Sequence, residues 1–391
     1  MAGGESVPVG DYLPLLREAA ESFTPAGLAA LADRVGADPS FGLAPRGGGD
    51  GAAIAPLDAA ATLGGGFVAR GGEFLRPFVS LAAFDAVRAD LPGSGLPLAE
   101  GYAADERVLR DAVRAAAVAT EIFHKASLVH DDIEDDDRVR YGRPALHVEC
   151  GVPSAINAGD YLLGVGYSVA ARLPGIDAAT ARDVVAIFAA AHARLARGQG
   201  AELWWRDAGV GTLTPSDSLE MYGLKTSPAF EAAVAIGIRL AGVEPRVVGA
   251  IDRYALHVGT GFQVLNDLKD WEGDLENDRR AAGDLLGGRP TLMWALALEG
   301  LSATDAARLR RLAVEAGTPS APEGAVVEAV ATARDLYGRA GVFARAAPIV
   351  DEQREAASAA RATCSLRRLR DVLEFLLDLA VPAGAAARMS R

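Results

Sequence analysis

Lysine is almost missing from this chain: of 39 basic residues only Lys125, Lys225 and Lys269 are lysines. A chain so biased toward arginine should replace lysine wherever either cation serves, so these positions invite a reason. Cysteine is as scarce. Cys150 and Cys364 offer no disulfide framework, which fits a reducing cytoplasm. Aromatic residues make up 6% of a chain that is 50% apolar, so alanine supplies much of the remainder. Alanine-rich amphipathic runs favour packed helices over sheet, and no alternating strand pattern or internal repeat stands out. The N-terminus lacks a basic-then-apolar leader. No apolar span of about 18 residues is free of charge, so a soluble, cytoplasmic protein without a transmembrane segment is expected. Basic charge is in deficit too. A net charge of −13 argues against a nucleic-acid partner and against docking on anionic lipid. It leaves an anionic substrate open, because metal ions and local arginines set the field at a site.

What is present is helix. One amphipathic helix is expected over Val9–Arg34, then a Gly/Pro/Ala-rich loop or linker over residues 37–66. Residues 1–66 therefore read as an N-terminal helix and linker, and 67–391 as one large helical domain. A helix should start near Gly72 and pass Val87; others are expected at 104–134, 153–171, 178–205, 215–240, 245–273, 288–299, 303–316, 322–340 and 343–380. The architecture is an all-α bundle.

Two acidic stretches concentrate chemistry. If the helix from Glu106 continues, Asp131 and Asp135 lie one turn apart on one face, with Asp132 beside them. Like charges at that spacing destabilise a helix, so something should offset them. A solvated acidic face is the ordinary explanation. Against it stand Ile122, Phe123, Ala126, Leu128 and Val129, an upstream flank apolar enough to be buried. Carboxylates at the mouth of an apolar cavity suit magnesium, which takes one or two of them and leaves positions for water and phosphate oxygens. Further on, Asn266, Asp270 and Asp274 share a second helical face with Asp267 beside it. Asparagine can ligate through its carbonyl oxygen but adds no charge.

Leu128-Val-His-Asp-Asp-Ile-Glu-Asp135, followed by Arg140 and Gly142–His147, resembles the first aspartate-rich motif of trans-isoprenyl diphosphate synthases. Gly71-Gly72 with Leu75–Pro77, Asn157–Asp160, Gly198-Gln199, Lys225-Thr226, Gly261–Gln263 with Asn266–Asp270, and Gly283-Asp284 through Thr291 follow that family's order. The resemblance spans roughly residues 64–300. It implies an isoprenoid-synthase helical bundle around a deep central cavity, usually a homodimer. It also implies an allylic prenyl diphosphate as substrate and three magnesium ions. Metal would be held by Asp131, Asp132 and Asp135, and by Asn266, Asp267, Asp270 and Asp274. The diphosphate would be held by Arg140, Lys225, Arg280 and Arg289, with Gln263 nearby; Asp131, Asp135, Lys225 and Gln263 would be catalytic.

The isopentenyl diphosphate site departs from the pattern. Glu73 stands where the family has lysine, Phe74 where arginine is frequent and Tyr141 where it has a second arginine; Arg76 and His124 remain. A wrong-signed charge there costs several kcal/mol, order of magnitude. Small residues at Ala126 and Ser127, with Phe123 as a floor, imply a cavity for a chain of farnesyl to geranylgeranyl size or longer, the second fitting best. These departures favour a class I terpene synthase that ionises the diphosphate without isopentenyl diphosphate. The alternatives are a prenyltransferase, using isopentenyl diphosphate or another acceptor, and a non-catalytic helical partner subunit.

Overall fold

The computed structural model describes residues 12–24, 26–30, 55–98, 105–208, 213–272, 281–318 and 321–386. In chain order the helices are Leu13–Glu21, Ala59–Val68, Leu75–Asp90, Glu106–Glu134, Leu146–Cys150, Val152–Ala171, Ala178–Ala208, Pro215–Lys225 and Ser227–Leu240. They continue with Ile251–Asp270, Gly283–Leu286, Leu292–Gly300, Ala303–Ala316, Glu323–Arg339, Val342–Ala362 and Arg367–Ala380. The fold is all-α.

The differences from expectation have local causes. An antiparallel hairpin, Val139–Arg140 against Arg143–Pro144, interrupts the helices. Its turn residues Tyr141 and Gly142 have φ of 54° and 69°, the left-handed pair that a two-residue hairpin turn requires. The expected loop over 37–66 ends in a helix, Ala59–Val68, despite three consecutive glycines. Packing outweighs their poor propensity, about 1 kcal/mol each: a Cβ on Gly64 would lie 3.1 Å from Leu162. The expected 215–240 helix breaks at Thr226, with φ of −121° and ψ of −44°, where Pro228 has no N–H to donate to the carbonyl of Leu224 one turn earlier. The 343–380 helix breaks between Ala362 and Arg367, where Ser365 N–H donates instead to Val248 O at 2.9 Å. Near the N-terminus the helix stops at Glu21, and residues 31–54 lie outside the described residues.

The chain divides into two compact units. The first comprises Met1–His192, Ala229–Ile251 and Arg361–Phe375. Its central helix, Glu106–Glu134, is capped by Asp105, which accepts from Arg107 N at 2.9 Å. Buried Ala112, Ala115, Ala116 and Ala119 let Leu75–Asp90 and Val152–Ala171 pack closely on it. Phe67, Phe78 and Phe84 are fully buried here, about 1.5–3 kcal/mol each.

The second unit comprises Ala193–Pro228, Asp252–Ala360 and Leu376–Arg391. Helix Pro215–Lys225 starts at a capping box in which Thr214 and Asp217 satisfy each other's backbone N–H. Leu292–Gly300 packs on it, and Ala303–Ala316 packs on Glu323–Arg339. Gly198 sits where a Cβ would come within 2.5 Å of Lys225 N, so only glycine lets these backbones meet so closely.

Candidate functional site

In the first unit the acidic motif occupies the end of the Glu106–Glu134 helix. Its members divide. Asp132 is fully buried, and its Oδ1 accepts from both Nε (2.8 Å) and Nη2 of Arg140. Burial pushes the Asp132 carboxyl up, while the Arg140 hydrogen bonds pull it down. Burial opposes the Arg140 charge, yet the bonded Asp132 carboxylate raises its pKa further. Arg140 thus offsets part of the like-charge cluster. Asp131 and Asp135 remain half-buried one turn apart, and Asp135 closes the helix by donating its N–H to Asp131 O at 2.8 Å.

Around the loop at Gly71–Phe74 the first unit brings Arg76 and His124, both expected at the isopentenyl diphosphate site, together with Lys125 and Glu121, to which sequence reasoning had assigned no role. Lys125 has a fully buried side chain and donates to Gly71 O. Its ammonium lies 4.0 Å from the Tyr141 ring centroid, 5.9 Å from those of Phe67 and Phe74, and 3.9 Å from Glu121 Oε1. Desolvation lowers its pKa to about 8. Arg76 stacks over Phe230 at 5.6 Å and leaves its buried Nε without a partner. Burial, then the Arg76, Lys125 and Arg140 charges, hold His124 well below the usual imidazole range, so it is neutral at pH 7. Glu73 is exposed, and Phe74, at φ 49°, stacks on Phe23 at 4.8 Å. Phe123 packs against Tyr167 and Phe188, each at 4.7 Å, and Tyr167 Oη meets His192 Nδ1 at 3.2 Å. Ala126 is fully buried; Ser127 Oγ donates to His124 O at 2.8 Å.

In the second unit a cavity of about 480 Å³ is lined by Lys225, Gln263, Asn266, Asp270 and Arg289, among others. Lys225 Nζ is 2.7 Å from Glu202, and Arg289 Nη1 is 3.0 Å from Asp284. Asp270 Oδ2 accepts from Asp284 N at 3.1 Å, and Asn266 Nδ2 reaches Gln263 Oε1 at 3.4 Å. Asp267 turns inward: it is buried and accepts from the Tyr222 hydroxyl. Burial and the Asp284 charge push its carboxyl well above the usual range. Asp274 and Arg280 lie outside the described residues. Glu202, Asp284 and Tyr222 line this cavity without having been singled out for a role; the nearest signals were Gly198-Gln199, Gly283-Asp284 and Lys225-Thr226.

Among the described residues no three Asp, Glu, His or Cys converge into a metal cage. The donor set nevertheless suits magnesium, which uses one or two carboxylates and completes its octahedron with water and phosphate. The pairs Asp131/Asp135 and Asn266/Asp270 have that composition. Among the described residues no helix is long and apolar enough to cross a membrane.

A sequence profile for polyprenyl synthetase matches residues 63–330. The short chain isoprenyl diphosphate synthase of Methanothermobacter thermautotrophicus is 32% identical over 62% of this chain and 68% of its own length. The geranylgeranyl diphosphate synthase of Methanosarcina mazei is 33% identical over 59% and 64%. A crystal structure of a polyprenyl synthase from Caulobacter crescentus, complexed with calcium and isoprenyl diphosphate, superposes with a TM-score of 0.68 at 26% identity. It covers 97% of this chain and 98% of that one. These relatives carry the names of prenyl diphosphate synthases. The comparisons therefore back the prenyltransferase alternative and give the terpene synthase expectation no support.

Proposed function

Because this chain belongs to the polyprenyl synthetase family of trans-isoprenyl diphosphate synthases, and so is an enzyme of the trans-prenyltransferase type, we propose that it extends an allylic prenyl diphosphate with isopentenyl diphosphate. The observation that carries this reading is the second unit's cavity, where Lys225 and Arg289 stand beside Gln263, Asn266 and Asp270. Asp131 and Asp135 in one unit, and Asn266 and Asp270 in the other, would hold magnesium, three ions in all as the resemblance implies. Magnesium supplies positive charge to the diphosphate oxygens. Lys225 and Arg289 stabilise the leaving diphosphate as its charge develops. Arg140, held by Asp132, adds a fixed cation beside the first motif. The aromatic cluster around Phe123 bounds the hydrocarbon chain and keeps water from the allylic cation. A geranylgeranyl-sized chain fits the small Ala126 and Ser127. A homodimer and a cytoplasmic location are further expectations, the first from the resemblance and the second from the two cysteines.

Extension needs an anion site for isopentenyl diphosphate, where the resemblance has cations at the positions of Glu73 and Tyr141. Lys125 supports extension despite those departures. Its ammonium lies against Tyr141, and a Cβ on Gly72 would lie 3.1 Å from it. The cation comes from the Glu106–Glu134 helix instead of from the loop. A second reading, ionisation without isopentenyl diphosphate, rests on exposed Glu73 and on Glu121 beside Lys125.

Incubation with geranyl, farnesyl and geranylgeranyl diphosphates and magnesium, with and without isopentenyl diphosphate, separates the two by mass spectrometry. Products longer by five-carbon units only when isopentenyl diphosphate is present are expected. Products that keep the substrate's carbon count, formed at a rate indifferent to isopentenyl diphosphate, would overturn extension and carry the second reading.

A further inference from the structure

One phenolic oxygen in the second unit joins the elements that bring charge to the cavity. Tyr222 Oη donates to Asp267 Oδ2 at 2.5 Å and accepts the Leu292 N–H at 2.8 Å. Tyr222 and Asp267 are 3% and 6% exposed, so water does not replace either bond when one is lost. Tyr222 lies one turn before Lys225 on helix Pro215–Lys225. Asp267 sits between Asn266 and Asp270 on helix Ile251–Asp270. Leu292 opens the helix that follows Arg289 and Pro290. Tyr222 and Asp267 themselves line the cavity. The apolar packing of this helix does not require a hydroxyl at position 222; phenylalanine fills the same space.

We propose that Tyr222 is a positioning residue: acting through Asp267 and the Leu292 amide, it fixes the spacing of Lys225, Asp270 and Arg289 for a diphosphate. This rests on the cavity being the diphosphate site. Fixed spacing matters because both cations face carboxylates of the same unit, Lys225 opposite Glu202 and Arg289 opposite Asp284. Both pairs are closed, at 2.7 and 3.0 Å, with Tyr222 in place, so a diphosphate must redirect the two cations, and a loosened frame adds backbone reordering to that change. A rigid frame gives affinity by removing that reorganisation.

The test is calorimetric titration of the full chain with inorganic diphosphate in magnesium, for the parent, Tyr222→Phe and Leu309→Ala. Leu309 is fully buried on helix Ala303–Ala316 and serves as a packing control. Tyr222→Phe should bind diphosphate about tenfold or more weakly, the scale of leaving a buried hydrogen-bonding group without its partner. Its allylic KM should rise with it. Leu309→Ala should lower the melting temperature at least as much and leave diphosphate affinity within about twofold of the parent. Tyr222→Phe binding as tightly as the parent overturns the inference alone. Equal weakening by Leu309→Ala overturns it too, since general loosening then explains the effect. A parent that binds no diphosphate overturns the proposed function and this inference together.

Discussion

Lys125 gives the sharpest test of extension, because its charge is within reach of an ordinary buffer series. Its side chain is fully buried and its pKa falls to about 8, chiefly through desolvation. A group with that pKa is about nine-tenths charged at pH 7 and about one-tenth charged at pH 9, whereas an unperturbed lysine stays charged across the range. Raising the pH removes the proton and with it the cation. If that cation holds isopentenyl diphosphate, the KM for isopentenyl diphosphate should climb about tenfold between pH 7 and pH 9, while the allylic KM stays flat. Bound diphosphate favours the charged form, so kcat should turn down at higher pH than kcat/KM does. Lys125→Arg, which cannot deprotonate in this range, should flatten the profile. Lys125→Met should raise that KM by about tenfold or more at pH 7, leave it nearly independent of pH, and so approach the parent at pH 9. The assay is steady-state extension of geranylgeranyl diphosphate over pH 6.5–9.5, with product lengths read by mass spectrometry. A flat KM in the parent, or normal extension by a folded Lys125→Met protein, refutes the reasoning.

Other consequences can be checked alongside. Asp131→Ala or Asp135→Ala should cost at least about a hundredfold in kcat, the scale of one strong electrostatic contributor, and excess chelator should stop turnover; full turnover in chelator would remove the metal from the mechanism. Asn266→Ala should abolish most activity while Asn266→Asp retains it, as product assays at fixed magnesium would reveal; parent-like behaviour of Asn266→Ala would make that motif a solvated helix end. Phe123→Ala removes the ring that packs on Tyr167 and Phe188, so products should lengthen by one or more five-carbon units on thin-layer or mass analysis. An unchanged product length in a folded variant would put the chain terminus elsewhere.

Helices were legible wherever apolar periodicity met a strong cap. Ala303–Ala316 matched its expected bounds, and Ser302 supplies the cap by accepting from Asp305 N. The helix through the three glycines at 64–66 was not legible, because local propensity opposes it and only packing on Leu162 reveals why glycine is tolerated. The hairpin at residues 139–144 was hidden for the opposite reason. Its strands are too short for alternation to register, and its turn carries tyrosine at a left-handed position.

The site was legible as a set of charged positions and illegible as a set of partners. Sequence spacing put Asp132 with Asp131 and Asp267 with Asn266, since neighbours in sequence look equivalent. The fold separates them: Asp132 turns to Arg140 and Asp267 to Tyr222, while Asp131 stays half-buried at the helix end and Asp270 lines the cavity. A partner distant in sequence decides each case, and no period of 3.6 residues encodes it. Charge at the Gly71–Phe74 loop follows the same logic. Counted along the loop, Glu73 replaces an expected cation. Counted in space, Lys125 reaches Gly71 from a different helix and supplies one. Scarcity of lysine was the hint: a chain that uses arginine elsewhere kept an ammonium beside Gly72, where a Cβ would lie 3.1 Å from it.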